Sequence, residues 1–258
     1  MAVASFVNQV IPGLNSPLTD KDMSVAHFLY NNSEHISNVL DIDDVHVLAL
    51  LDIIERFGLA ETFRVHRIHR HDIIPEGTIK LEENLGIMNG KWNRATSVQD
   101  LDFGNIHATV FKFVNGQATA YEFAEGPPVL GANATALIDD LIKEFSLYLE
   151  IHGLGDKVAL EHGEFQGYQA KEILTEVDFD GVGTIALPES RVNGGLKVVT
   201  SWNVPPIGQF PDQPPPGQTW APMVNESHKV FQNSLGNQSK LSTPDEVIEE
   251  LLSQGIVQ

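Results

Sequence analysis

The dipeptide Asn115-Gly116 is the feature that most restricts the folds open to this chain. It stands between two runs rich in β-branched and aromatic residues, Ile106–Val114 and Gln117–Phe123. Asn-Gly supplies the two positive-φ residues of a tight turn whose twist matches that of two antiparallel strands. The dipeptide therefore predicts a β-hairpin, which needs further strands or helices to cover its apolar face.

Asp20 is predicted to cap a short helix that runs through Tyr30, and three further segments carry clearer signals of helices. The first follows Asp41 and ends near Gly58, with apolar residues at helical spacing: Val45, Leu48, Leu51 and Ile54. The second is capped by Asn133 and stops at Gly153. The third opens with the capping box Thr243–Glu246, which has proline at the first helical position.

Other segments predict strands, because they alternate or are rich in β-branched residues: 62–71, 78–83, 158–164, 175–187 and 196–204. Hairpins with helices between the groups indicate an α+β fold, with one or more antiparallel sheets built from hairpins and several packing helices.

These signals divide the chain into four parts. Residues 1–20 are predicted to be an irregular lead-in, 21–204 an α+β domain, 205–222 a proline-rich loop, and 223–258 a C-terminal extension whose helix packs on the domain. The seven prolines of the loop exclude a core helix or a central strand there.

Charge and composition exclude several classes of function. The chain has 35 acidic and 16 basic residues, a net charge of -19, which disfavours nucleic acid and anionic membranes as partners. It has no cysteine, so any metal site must use histidine and carboxylates. Since the sequence shows neither a signal peptide nor a long apolar span, we expect a cytoplasmic protein with a small-molecule ligand or substrate. The sequence carries no signal for an oligomeric state.

Against this acidic background, the run Phe63–Asp72 is basic, with three histidines and three arginines. Alternate residues of a strand share a face, so Arg67, His69 and His71 are predicted to point to one side. The strand rise separates His69 from His71 by roughly 6–7 Å, close enough for both imidazoles to meet one ion.

The returning strand supplies a carboxylate in this interpretation. A two-residue turn at Pro75-Glu76 places His69 opposite Glu82, whereas a bulge at Gly77 places it opposite Glu83. Two imidazoles and a carboxylate suit zinc, iron or manganese, and such a metal activates water or polarises a carbonyl. Without a metal, His69, His71 and Glu82 would act as acid and base.

We therefore expect a small-molecule enzyme of lyase, isomerase or hydrolase type, acting on a carboxylate or a phenolic compound. Arg67 and Arg70 would hold an anionic group of the substrate, and Trp202 would line a ligand pocket. One alternative is a non-catalytic ligand- or protein-binding module with a His/Arg-rich docking face. The other is a purely structural role for the cluster, through hydrogen bonds and surface ion pairs.

The motif Ile68–Asp72, followed by a turn and the strand Ile79–Glu82, resembles the Leu-His-Arg/Lys-His-Phe hairpin of a widespread fungal family of uncharacterised proteins. The segments Ala120–Phe123 and Phe145–Leu160 are also similar, and the likeness covers residues 40–190. Asp72 stands where that family usually has phenylalanine.

This resemblance implies a filamentous-fungal setting and a shared α+β domain. It gives added weight to His69 and His71 as a site. By analogy, it suggests a role in fungal secondary metabolism.

Overall fold

The computed structural model describes residues 10–85, 90–127, 134–163, 174–179, 183–193, 196–204, 223–230, 241 and 243–257. In these ranges, ten strands form one mixed, mostly antiparallel sheet that curls into a closed barrel, and four α-helices accompany it. The α+β prediction is confirmed. The sheet differs from the predicted antiparallel arrangement in that it is mixed, with two parallel strand pairs.

The helices span α1 Asp20–Asn31, α2 Asp44–Arg56, α3 Ala134–His152 and α4 Pro244–Ser253. Thr243 caps α4 through the predicted capping box, since its hydroxyl accepts from the backbone N–H of Glu246 and the Glu246 carboxylate accepts from the backbone N–H of Thr243. Gly58 and Gly153 follow α2 and α3 with positive φ angles, as predicted for glycines that end helices.

The strands span β1 Phe63–Arg67, β2 Thr78–Asn84, β3 Lys91–Ser97, β4 Ile106–Val114, β5 Gln117–Glu125, β6 Val158–His162, β7 Leu174–Phe179, β8 Gly183–Pro188, β9 Leu196–Asn203 and β10 Met223–Val230. Their order around the barrel is β1-β6-β4-β5-β2-β3-β8-β7-β10-β9, and β9 pairs with β1 to close it. The β2–β5 and β7–β10 pairs are parallel.

The hairpin predicted from Asn115-Gly116 is confirmed. Strands β4 and β5 pair from Ile106 opposite Glu125 to Val114 opposite Gln117. Asn115 and Gly116 have φ angles of 51° and 77°, which are the left-handed values that a turn of this type requires.

The hairpin predicted over residues 62–83 is wrong. Strand β1 pairs with β6 and β9, and β2 pairs with β3 and β5, so the two segments are not neighbours in the sheet. Strand β1 also stops at Arg67. Beyond it, the N–H of Arg70 donates to the carbonyl of Glu34, and the N–H of Ile36 donates to the carbonyl of Arg70. The chain thus leaves the sheet to pair with the segment after α1.

Two further differences concern the second half of the chain. The single strand predicted over residues 175–187 is two antiparallel strands, β7 and β8. Strand β10 lies in the predicted C-terminal extension, so residues 223–230 contribute to the same sheet as the domain. The proline-rich loop 205–222 lies outside the described residues.

The two larger apolar clusters lie outside the barrel wall. Phe63 and Val65 of β1 pack with apolar residues of α2 and α3 in the largest hydrophobic cluster. A smaller cluster joins Val177 of β7 to Val247 and Leu251 of α4. Because side chains alternate along a strand, the residues between these apolar positions point into the barrel.

Candidate functional site

The barrel interior is lined with charged and polar side chains from several strands. Arg64 and His66 of β1 face inward, because they alternate with Phe63 and Val65, which pack outward. The same alternation turns other buried or half-buried polar residues inward: Lys80, Glu122, Glu161, Glu176, Asp178 and Ser201. Such a concentration of ionisable groups in a protein interior is typical of functional sites.

Three histidines meet in this interior. The rings of His66 and His69 stack with centroids 5.3 Å apart, and the ring of His71 meets that of His69 edge-on at 5.1 Å. All three are buried, with His69 and His71 only 4% and 5% exposed. Strand alternation predicted His66 on the opposite face from His69. Since β1 ends at Arg67, the alternation does not continue, and the three imidazoles lie together.

His66, His69 and His71 together form a histidine row. Glu161 of β6 lies at the His66 end of this row. Its carboxylate contacts Arg64, accepts a hydrogen bond from Ser201 Oγ at 3.3 Å, and lies 2.9 Å from His66 Nδ1. Burial alone would raise the pKa of Glu161. The positive charge of Arg64, with the charge and hydrogen bond of His66, outweighs burial and holds that pKa well below its usual range. The Arg64–Glu161–His66 group is therefore a buried ion-pair network.

The other side of the row is a candidate metal centre. One ligand atom from each of His69, His71 and Glu176 lies within 4.8 Å of the other two, so this group could hold a metal ion. In a tetrahedral site with bonds of about 2.1 Å, the ligand atoms are about 3.4 Å apart, so small side-chain rotations would complete the geometry.

Neighbouring groups orient both imidazoles of this centre. His69 Nδ1 lies 2.8 Å from the backbone carbonyl of Arg67, which only accepts, so Nδ1 carries the proton and Nε2 is left as the ligand atom. His71 Nδ1 lies 3.5 Å from the Asp178 carboxylate. A carboxylate or carbonyl behind each histidine is the usual arrangement around protein-bound metals.

The electrostatics of the interior favour neutral, ligating imidazoles. Burial lowers the pKa of His69 well below its usual value, and the nearby His71 and His66 lower it further. Burial also lowers the pKa of His71, although the hydrogen bond and charge of Asp178 oppose that shift. Neutral imidazole is the form that binds metals, so no protons need to be displaced from these rings near neutral pH.

The predicted third ligand, Glu82, is replaced by Glu176. Glu82 Oε1 lies 2.9 Å from Lys91 Nζ, and the alternative, Glu83, pairs with Arg94 at 2.6 Å. Both carboxylates are therefore engaged with strand β3. The error follows from the incorrect hairpin, since β2 pairs with β3 and β5 and not with the segment that carries His69.

The structure does not bring the predicted substrate-binding residues into this group. Arg67 points away from the interior, with its guanidinium 3.3 Å from the Asp41 carboxylate and 5.5 Å from the ring centre of Trp202. Trp202 is buried in the large apolar cluster. Arg70 donates from Nε to the carbonyl of Ser33 at 2.9 Å.

Sequence reasoning missed Glu176 and Asp178, although a signal for them is present. Both are acidic residues that alternate with Thr175 and Val177, which is the pattern of a strand with one polar face. The dipeptide Asp180-Gly181 is a hairpin signal in the sequence, and its use would have divided the predicted strand 175–187 after this polar face. No local pattern connects these residues with His69, because the contact spans more than a hundred residues.

Comparison with protein-family models, curated proteins and solved structures finds no match for this chain. The fungal-family resemblance therefore stays a prediction. Among the described helices, none combines the length and the apolar character needed to cross a membrane.

Proposed function

We propose that the protein is an enzyme that acts on a small molecule inside its barrel, using a divalent metal bound by His69, His71 and Glu176. The convergence of these three ligand atoms is the observation that carries the proposal. Two imidazoles and one carboxylate form the ligand set of many catalytic zinc sites and of non-haem iron oxygenases.

The number of ligands favours a catalytic role over a structural one. Structural zinc sites usually have four protein ligands, whereas catalytic sites have three and keep a position open for water or substrate. Such a metal supplies Lewis-acid chemistry, through which water is activated or a carbonyl is polarised. Within the protein, Asp178 and the Arg67 carbonyl would fix the orientation of the two imidazoles.

The reaction types suggested by such a site are those predicted from the sequence: lyase, isomerase or hydrolase. The alternative of an exposed docking face receives no support from burial, because Arg67, His69 and His71 are each at most 5% exposed. His69 and His71 lie within the protein and are not available to a partner that docks on its surface.

Elemental analysis of the natively purified protein tests the metal centre. We expect a transition metal near one equivalent, lost in His69→Ala and in Glu176→Gln because each removes a ligand. Glu82→Gln is the matched control, since it removes a carboxylate of the same barrel that contacts Lys91 instead, and it should retain the metal. Less than about a tenth of an equivalent in the native protein, with no uptake of Zn²⁺, Fe²⁺ or Mn²⁺ by titration, would contradict the proposal.

Catalysis is tested separately from metal binding. Small esters, lactones and oxo acids are incubated with the metal-loaded protein and followed by NMR. The Glu176→Gln variant serves as the inactive reference. Turnover of a compound by the native protein and not by the variant supports the enzyme. A metal that binds tightly, raises the melting temperature and supports no turnover would show a structural site instead.

A further inference from the structure

A lysine in the same interior has no assigned role in the metal centre. Lys80 lies in the middle of β2, between Ile79 and Leu81, which both pack outward in the large apolar cluster. Its side chain therefore points into the barrel, and only 2% of the residue is exposed. An ammonium group in such a position loses most of its hydration, which is costly unless it is well paired.

The contacts of the Lys80 amine are few for a buried cation. Nζ donates to the backbone carbonyl of Asn93 at 3.2 Å and lies 5.4 Å from the ring centre of Tyr30. Within the described part of the chain, no carboxylate oxygen lies within 4.0 Å of this nitrogen. This differs from Arg64, which contacts Glu161 directly in the same interior.

An acid stands beside this amine. Glu122 of β5 is the register partner of Lys80 across the parallel β2–β5 pair, and both residues are buried. Burial raises the pKa of Glu122 to about 7, in spite of the positive charges of His66 and Lys80. Burial likewise lowers the pKa of Lys80, although four surrounding carboxylates oppose that shift: Glu122, Asp178, Asp72 and Glu176.

The amine and the candidate metal centre share one interior. The charge of Lys80 acts on both His71 and Asp178, so these groups are near enough to interact electrostatically. A molecule held against His69, His71 and Glu176 would therefore lie within the electrostatic range of the Lys80 amine.

We propose that Lys80 is a catalytic nucleophile that forms a Schiff base with the carbonyl carbon of a small ketone or aldehyde substrate bound in the barrel interior. The inference rests on the proposed small-molecule site but not on the presence of a metal. Lysines that are desolvated inside a protein serve this purpose, because the nucleophile is the neutral amine.

The step balances with the groups present. The neutral amine attacks the carbonyl carbon, a C–N bond forms, and the π electron pair moves to the carbonyl oxygen, which takes a proton from Glu122. A proton then passes from nitrogen to the carboxylate of Glu122 and on to the hydroxyl, which leaves as water as the C=N⁺ bond forms. One amine, one carbonyl and one proton give one iminium ion and one water.

Reductive trapping tests the proposal on the native full-length protein. The protein is incubated with propanal, acetone or pyruvate in the presence of cyanoborohydride near pH 7, and the modified lysines are mapped by mass spectrometry. We expect Lys80 to be alkylated at least about tenfold faster than the exposed Lys143, because at this pH an amine with a lowered pKa is neutral far more often. Modification of surface lysines with none at Lys80 would overturn the inference.

Two variants sharpen the assignment. Lys112 is a second buried lysine, whose Nζ donates to Ser33 Oγ, so Lys112→Arg is the matched control and should leave trapping at Lys80 unchanged. Glu122→Gln should slow trapping about tenfold or more, since general acid catalysis contributes at least that much. An unchanged rate in a folded Glu122→Gln variant would remove Glu122 from the step.

The outcomes separate this inference from the proposed metal site. Trapping is repeated after chelation and in Glu176→Gln. Modification of Lys80 in the metal-free protein supports the Schiff-base step independently of the proposed metal site. A protein that holds a metal and turns over a substrate but is never trapped at Lys80 refutes the amine chemistry alone.

Discussion

The two sides of the histidine row are built differently. The Arg64–Glu161–His66 network pairs opposite charges in direct contact, so its members neutralise one another. In the His69–His71–Glu176 group, two neutral imidazoles and a carboxylate have ligand atoms within 4.8 Å of one another. The buried polar residues of this one interior therefore have two different roles. The Arg64–Glu161–His66 network stabilises the barrel, whereas the His69–His71–Glu176 group is suited to chemistry.

Removing the carboxylate of Glu161 should have the largest effect on stability. Glu161→Gln removes a directly contacting negative charge from the guanidinium of Arg64, which is 2% exposed. We expect the free energy of unfolding to fall by about 3–5 kcal/mol, as for other buried pairs that lose one partner. Urea denaturation measures it, and a loss below about 1 kcal/mol would show that the network is not structural.

The same network sets a pH dependence at the acidic end. Since the folded protein holds the pKa of Glu161 below its ordinary value, this carboxylate contributes stability above the ordinary pKa, and the contribution is lost as the pH falls below it. The difference in stability between the native protein and Glu161→Gln should therefore shrink from pH 6 towards pH 3, beginning near the ordinary glutamate pKa of 4.5. A constant difference across this range would contradict the assignment.

Glu122 should show the opposite sign. Its pKa in the folded protein is raised from 4.5 to about 7, so its ionisation costs stability as the pH rises through that window. Glu122→Gln removes this cost and should be more stable than the native protein at pH 8, by up to about 3 kcal/mol. At pH 4 the gain should vanish. A variant that is less stable at both pH values would mean that the ionised form is stabilised by its neighbours.

Asp178 is not one of the three candidate metal ligands, but its carboxylate orients the candidate ligand His71. Asp178→Asn should weaken metal binding about 10–100-fold, as expected for the loss of a carboxylate behind a ligating histidine. Titration calorimetry with Zn²⁺ measures the change. Unaltered affinity would show that His71 is held by other contacts.

The smallest effect is expected for Glu82, which the sequence predicted as the third ligand and whose place is taken by Glu176 in the candidate metal centre. Glu82→Gln removes an ion pair with Lys91 whose side chains are 27% and 34% exposed, so the free energy of unfolding should change by less than about 1 kcal/mol. Metal content should not change. Loss of metal in this variant would show that Glu82 is a metal ligand.

The sequence predicted local structure better than the contacts between distant segments. Asn115-Gly116 determines its own turn, and Thr243 its own helix start, because each signal acts within a few residues. It also singled out His69 and His71. It could not predict Glu176 or Lys80 as their neighbours, since strand order is set by packing over the whole sheet. The 62–83 hairpin failed for that reason: β1 has β6 and β9 as partners instead of the next strand along the chain.

The pairing of β9 with β1 closes the barrel around the candidate site. It consists of two register pairs, Val65 with Trp202 and His66 with Ser201, and the hydroxyl of Ser201 reaches the carbonyl of Val65 across 136 residues of sequence. Contacts between such remote segments form late, because a long loop must first be closed. The surroundings of His66 are therefore complete only when β9 pairs with β1, and a contiguous fragment that ends before residue 201 lacks Ser201, which donates a hydrogen bond to Glu161.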